Sequence, residues 1–457
     1  ILKWTLQKCH IMIDLIDFCI YMGPIASVGI VLVSFLYGKL LGGSTLGCVV
    51  CFINSFIAGL ISRSIAGSYD YECIAFFILI TCFYFFSLAL ENGSILYATL
   101  SALFYGYMAL TWGGYVFISN CIPLYVAVLV ALGRYSWRLH IVYSIWAVLG
   151  TIFTSSVPFI FEKTISKPEH LVLLLTFFVL QVWGLFVFLK GRLSKRSFST
   201  FLVSSLISLP AVVMAIITLG VSTGLLSGFS GRLMQMFDPT YGAHHVAIIA
   251  SVAEHQASSW GAFFMDCGYL LLLFPLGCYF ILKTQTESEM LILIYGLSTM
   301  YFGSVMVRLV LVFTPAMVFV SSIAIHRLMK KATAKKDGVS MMVMLTITII
   351  VLATLYHCVW FACYSYSGDH IHFMVNTPRG GETSDDYREA YRWLFSNTQR
   401  DERVMSWWDY GYQITSMGNR GCMADGNTNN YTHIGIIGMA MASQEPVSWR
   451  LARLMGA

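Results

Sequence analysis

Apolar stretches of about 17–25 residues recur along this chain, and nothing else in the sequence restricts its fold so strongly. Each is long enough to cross a bilayer as a helix, and in hydrocarbon only a helix or a closed barrel pairs every backbone N–H and C=O. About twelve such stretches are expected, at 18–37, 44–62, 73–90, 95–110, 115–133, 140–157, 170–189, 200–220, 262–282, 290–306, 309–325 and 341–364. Only 11% of the 457 residues are charged and 57% are hydrophobic, with mean hydropathy +0.72. A soluble globule carries about 25% charged residues. The fold class is therefore a multi-pass α-helical membrane protein, with membrane lipids as partners and no nucleic acid.

Loop charges orient the bundle. Arg134 and Arg138 form one basic cluster, Lys190, Arg192, Lys195 and Arg196 a second, and Arg327, Lys330, Lys331, Lys335 and Lys336 a third. An even number of proposed helices separates each from the next, so all three share a side, which the positive-inside rule makes cytoplasmic. The opposite side receives 63–72, 111–114, 158–169, 221–261 and everything from about 366 onward. This gives a transmembrane domain at 1–365 with external loops and an external domain at 366–457.

The 12 cysteines are scattered, mostly in apolar runs. Cys48-Val49-Val50-Cys51 has a redox-like spacing, but its apolar flanks make it packing inside a membrane helix. No disulfide is assigned. His244, His245 and His255 fit no standard zinc spacing and read as loop histidines.

From about 366 the chain turns polar. Ser384-Asp385-Asp386 can cap a helix carrying Tyr387, Tyr391 and Leu394 on one face. Past Trp407, mixed Gly and aromatic residues suggest an α/β arrangement. The stretch Trp407-Trp408-Asp409-Tyr410-Gly411-Tyr412-Gln413 sets two indoles beside a carboxylate, a combination suited to a small hydroxyl-bearing side chain. With Arg403-Val404-Met405-Ser406 before it and Asp425-Gly426-Asn427-Thr428 after it, this string resembles the signature of the catalytic subunit of oligosaccharyltransferase, of eukaryotic type. That family N-glycosylates asparagine in Asn-x-Ser/Thr.

The acidic loops extend the resemblance. In Arg63-Ser64-Ile65-Ala66-Gly67-Ser68-Tyr69-Asp70-Tyr71-Glu72, residues 70 and 72 point the same way if the segment is extended, and two carboxylates suit a hard divalent ion. The segment looks like the family's second metal-binding motif, with Tyr71 where the family usually has Asn; a middle residue is expected to point away from the metal. Ser251-Val252-Ala253-Glu254 resembles the family's Ser-Val-x-Glu motif in a long external loop. Arg308, in Val305-Met306-Val307-Arg308-Leu309, either snorkels or pairs structurally, or, by the resemblance, meets a lipid-linked pyrophosphate. Thr111-Trp112-Gly113-Gly114-Tyr115 matches a further family element of structural character.

The resemblance implies the C-type glycosyltransferase membrane fold with the start of a lumenal mixed α/β C-terminal domain, in the endoplasmic reticulum membrane. It implies transfer of a preassembled oligosaccharide from a dolichyl diphosphate carrier to the asparagine of nascent polypeptide sequons, with accessory oligosaccharyltransferase subunits as further partners. Asp70 and Glu72 would hold Mn²⁺ or Mg²⁺. Glu254 would bind the acceptor amide, and Arg308 with Tyr412 the pyrophosphate, Arg63 being another candidate for that anionic pocket. Trp407, Trp408 and Asp409 would read the Ser/Thr hydroxyl. Another metal-binding aspartate is expected ahead of Ile1 and a sequon-reading Asp-x-x-Lys motif beyond Ala457, so the chain is expected to be part of a longer protein and inactive by itself.

Two other classes share some of these features. A multi-pass transporter accounts for the helices but not for the tryptophan pair. A protein mannosyltransferase, another polyprenyl-linked-sugar glycosyltransferase, has external acidic loops but should lack that pair. The enzyme reading requires Asp70, Glu72, Glu254 and the indoles to gather on one lumenal surface. It also expects glycan on Asn430, in the external sequon Asn430-Tyr431-Thr432, and none on Asn92.

Overall fold

The computed structural model describes residues 14–67, 70–158, 160–161, 168–224, 237–238, 240–245, 252–335, 337–363, 373–378, 380–427 and 430–456, together with residues 8, 10 and 234. Ser68, Tyr69, Ser251, Lys336 and Thr428, and the expected domain junction at 365/366, lie outside the described residues. The chain divides into two compact units, Ile1–Tyr366 and Ser367–Ala457, each described by itself.

The first unit is helical. Leu15–Gly42 and Ser44–Asn54 form a hairpin whose backbones nearly touch: a Cβ on Gly38 would lie 2.9 Å from Gly47 Cα. Helices Tyr71–Asn92, Ile95–Thr111, Tyr115–Ala131, Trp137–Ser155, Pro168–Lys190 and Lys195–Ser222 follow, and Glu287–Val305, Val310–Lys335 and Gly338–Phe361 close the bundle. Among the described residues six helices are long and apolar enough to cross a membrane: Asp17–Gly42, Tyr71–Asn92, His170–Lys190, Trp260–Thr284, Val307–Lys335 and Gly338–Phe361. Ile95–Thr111 and Tyr115–Ala131 are apolar but shorter, at 17 residues each.

Two expected stretches are not single regular helices. Residues 44–62 divide into Ser44–Asn54 and the short turn Ala58–Ile61, because Ile57 is extended (ψ 129°). That turn leans on the Val310–Lys335 helix, where a Cβ on Gly59 would fall 2.6 Å from Thr314 Oγ1. Residues 262–282 run as an α-helix to Cys267, a 3₁₀ stretch Gly268–Leu273 and a second α-helix Phe274–Thr284. Gly268 takes a positive φ of 58°, and Pro275 in the first turn of the second helix offers no N–H for the preceding turn to use.

Val310–Lys335 is the core element: every residue from Val310 to Ile325 is buried, and it packs on Ser44–Asn54, Phe274–Thr284, Glu287–Val305 and Gly338–Phe361. The rim leaves Leu32, Phe178, Leu345 and Tyr356 exposed, as a lipid-facing surface does.

Two of the basic clusters meet one end of this bundle. Arg138 Nη1 donates to Glu91 O (2.9 Å), Arg134 Nη2 to Gln285 Oε1 (2.7 Å), and Arg327 pairs with buried Glu289. Glu72 begins the helix that ends at Asn92, and 22 residues rise about 33 Å, so its cluster occupies the opposite end of that helix.

In the second unit Phe373–Thr377 and Gly380–Ser384 pair antiparallel, while Arg403–Val404 pairs parallel with Gly421–Cys422. Helices Asp386–Asn397, Tyr431–Ala442 and Glu445–Met455 complete it. The expected helix after Ser384 is present with Tyr391 buried, but Asp385 does not cap it through its side chain; its Oδ2 takes Arg388 at 2.9 and 2.5 Å. Buried Arg420 holds this unit together. Its guanidinium donates to Thr398 Oγ1 (2.7 Å), Asn419 O (2.9 Å), Gly418 O (3.3 Å), Phe395 O (2.8 Å) and Thr398 O (2.6 Å).

Candidate functional site

Asp70 starts the site by starting a helix. Its backbone is extended (φ −117°, ψ 152°) and its Oδ1 accepts from Tyr71 N at 2.7 Å, pairing one of the N–H groups a helix start leaves open. Glu72 therefore falls in the first turn of an apolar helix, and it is 0% exposed. A buried carboxylate needs compensating charge. Two arginines supply it: Arg63, just past Ala58–Ile61, and Arg308, in the 3₁₀ turn Val307–Leu309.

Arg308 Nη2 lies 2.8 Å and Nε 3.2 Å from Glu72 Oε1. Arg63 Nε lies 3.0 Å from Glu72 Oε2, an ion-pair distance without hydrogen-bond alignment. Glu254, 47% exposed in its side chain, reaches the same guanidiniums from the turn Ala253–His255: Oε1 is 3.6 Å from Arg63 Nη2 and Oε2 is 3.7 Å from Arg308 Nη1. Backbone bonds hold that turn in place, from Ser258 N to Ser304 O (3.0 Å) and from Val307 N to Gln256 O (2.9 Å). Three stretches of chain, 63–72, 253–255 and 307–309, thus bring two arginines and two glutamates together.

Tyr71 does not point away from this cluster. Its hydroxyl accepts from Arg308 Nη2 at 2.9 Å. The sequence reading missed this contact; the available signal was the large, hydroxyl-bearing side chain inside the acidic motif.

Asp70 and Glu72 present hard oxygen donors that fit a divalent cation by chemistry. Asp70 Oδ1 already serves its helix and both Glu72 oxygens face guanidiniums, so a cation would share Glu72 with Arg63 and Arg308. Among the described residues no three His, Cys, Asp or Glu side chains gather as a ready cation cage.

The second unit carries the other candidates. Trp407 and Trp408 set their rings 6.3 Å apart at 48°, both half-buried, and Trp407 packs over Gly438 of the Tyr431–Ala442 helix. Asp409 is exposed. The Trp408 Nε1–H is buried without a hydrogen-bond partner among the described residues, a donor left open for an acceptor. Tyr412 OH donates to Asn427 Oδ1 at 2.9 Å, and Asn427 N to Asp425 Oδ1 at 2.9 Å. The two motif segments lock at glycines: a Cβ on Gly411 would be 2.5 Å from Ala424 O, and one on Gly426 would be 2.6 Å from Tyr412 Cε2. Asn430 caps its helix by accepting from His433 N at 3.1 Å. Burial raises the Cys422 thiol above its ordinary value.

Residues 1–321 match the family model "Oligosaccharyl transferase STT3, N-terminal", and 400–456 match "STT3/PglB/AglB core domain". The chain is 37% identical to the dolichyl-diphosphooligosaccharide–protein glycosyltransferase subunit STT3B of Arabidopsis thaliana, over 99% of this chain and 66% of that protein. It is 35% identical to the Saccharomyces cerevisiae STT3 subunit, over 96% of this chain and 63% of that one. The chain thus spans just under two thirds of these relatives' length. Among solved structures, Archaeoglobus fulgidus AglB with an inhibitory peptide and a dolichol-phosphate superposes with TM-score 0.73 at 17% identity, covering 96% of this chain and 58% of that one. The oligosaccharyltransferase of that organism with Zn and sulfate gives 0.67 at 16%, covering 99% and 57%. These likenesses carry the fold, and the two family models together span both units: the chain belongs to the oligosaccharyl transferase STT3 family.

Proposed function

We propose that this chain is the catalytic portion of an oligosaccharyltransferase, moving a preassembled oligosaccharide from a dolichyl diphosphate to the asparagine amide of Asn-x-Ser/Thr. The observation that carries this reading is the cluster of Glu72, Arg308, Arg63 and Glu254, at the end of the bundle opposite the basic loops.

An amide nitrogen is a poor nucleophile, so the acceptor must be held and the departing diphosphate stabilised. Glu254, the more exposed glutamate, would hydrogen-bond the acceptor amide at attack distance. Arg308 would meet the diphosphate as its charge grows, with Arg63 adding to the same anionic pocket and Tyr412 assisting. Asp70 and Glu72 would hold Mn²⁺ or Mg²⁺, which when bound supplies Lewis-acid stabilisation. Trp408 Nε1, with Trp407 and Asp409, would read the Ser/Thr hydroxyl.

The architecture that goes with this activity is about twelve transmembrane helices in 1–365, in the C-type glycosyltransferase fold. Residues 366–457 would begin a lumenal mixed α/β domain in the endoplasmic reticulum, working with accessory subunits. AglB structures carrying a dolichol-phosphate and an acceptor peptide with an NVT sequon support both substrate classes. The test is transfer from a dolichyl-diphosphate-linked oligosaccharide to an Asn-x-Thr peptide by the intact protein. Asp409→Ala should abolish it. Normal turnover in that variant would sink the hydroxyl-reading assignment, and transfer to Ser/Thr hydroxyls instead would select the mannosyltransferase class.

A further inference from the structure

We infer that Tyr71 is a positioning residue for Arg308, fixing the guanidinium so that its Nη1 edge is presented to an anionic diphosphate. The inference rests on the reading of Arg308 given above. Arg308 has five N–H donors. Nε and one Nη2 hydrogen both go to a single atom, Glu72 Oε1, at 3.2 and 2.8 Å. One oxygen is a pivot: it holds the group at a point but lets the guanidinium plane swing about it. The remaining Nη2 hydrogen goes to Tyr71 OH at 2.9 Å, a second fixed point that stops the swing.

What remains is the Nη1 edge. Among the described residues its carboxylate partner, Glu254 Oε2, is 3.7 Å away, an ion-pair distance beyond hydrogen-bond reach. The two Nη1 hydrogens are thus oriented on the side of the cluster shared with Glu254. Tyr71 is itself held by its helix start, since its N–H is bound to Asp70 Oδ1. Although the residue is 43% exposed, its hydroxyl is engaged by Arg308. A donor edge fixed before the anion arrives loses less orientational freedom on binding, and that gain depends on the tyrosine hydroxyl.

The experiment compares the intact protein with Tyr71→Phe and Arg308→Gln. It measures KM for a dolichyl-diphosphate-linked oligosaccharide, KM for a sequon peptide, and inhibition by geranyl diphosphate with divalent ion in excess. Phe keeps the ring and removes only the hydroxyl, so folding is preserved. Tyr71→Phe should raise the donor KM and the geranyl diphosphate inhibition constant about three- to tenfold and leave the peptide KM unchanged. Arg308→Gln should weaken both diphosphate constants further. An unchanged inhibition constant in Tyr71→Phe, or an equal rise in both KM values, overturns the positioning role while leaving Arg308 as the diphosphate residue. Wild-type diphosphate binding by Arg308→Gln overturns that reading, and the inference with it.

Discussion

Glu72 and Arg308 stand 236 positions apart in the sequence and 2.8 Å apart in the folded chain. One sits in the first turn of a largely buried apolar helix and the other in the turn before the most buried of the described spans, so the pair fastens the starts of two core helices together.

Glu72→Gln leaves two guanidiniums facing a neutral amide. Both arginines are partly solvated, which discounts the loss to about 2 kcal/mol. Glycan transfer should fall at least about a hundredfold, and thermal unfolding in detergent should come at a lower temperature. In a double-mutant cycle, Glu72→Gln with Arg308→Gln should be more stable than the sum of the single losses requires. Strict additivity would show that the two charges do not interact.

Trp408→Phe removes an N–H that no described residue accepts. Stability should change little, since no folded-state bond is lost, while the KM for a sequon peptide rises about tenfold or more. Equal damage to stability and KM would instead assign the indole to packing.

Arg420→Met strips five hydrogen bonds from buried or half-buried carbonyl and hydroxyl partners. A loss of about 3 kcal/mol is expected, read as faster proteolysis between 386 and 422 in the intact protein. Wild-type cleavage rates there would remove Arg420 from its anchoring role.

Cys422 should alkylate slowly. Its thiol is raised by burial, so less thiolate is present at neutral pH than on a free cysteine, and the rate should keep climbing at pH values where a free thiol has levelled off. The proton retained in the fold contributes stability that is fully present below the unfolded thiol's pKa and is lost as pH rises through the folded one. Mass spectrometry of the alkylated peptide against pH checks this; a plateau at the free-thiol pH contradicts it.

Asn430 should carry glycan and Asn92 should not. Asn430 is exposed at the start of its helix, and Asn92 lies at the end of the Tyr71–Asn92 helix beside the loop that Arg138 closes. Endoglycosidase treatment of the wild type and of Asn430→Gln gives the answer, and glycan at Asn92 would reverse the orientation of the whole bundle.

The sequence by itself determined the helices, because lipid permits little else for long apolar runs and each run carries its own backbone pairing. It also singled out Asp70, Glu72, Glu254, Arg308 and the Trp407–Tyr412 string, since charge beside apolar segments and paired indoles are local features. Only the tertiary structure decided who meets whom. That Glu72 takes Arg308, that Tyr71 turns toward Arg308, and that Arg420 reaches back to the carbonyls at the end of the Asp386–Asn397 helix depend on contacts between residues well separated in the chain, which no local pattern encodes. The break at Ile57 belongs there too: that run is apolar enough for a straight helix, and its bend goes with the close packing of Gly59 on Thr314, whereas the 3₁₀ stretch after Gly268 goes with Pro275, whose missing N–H is a local feature of the sequence.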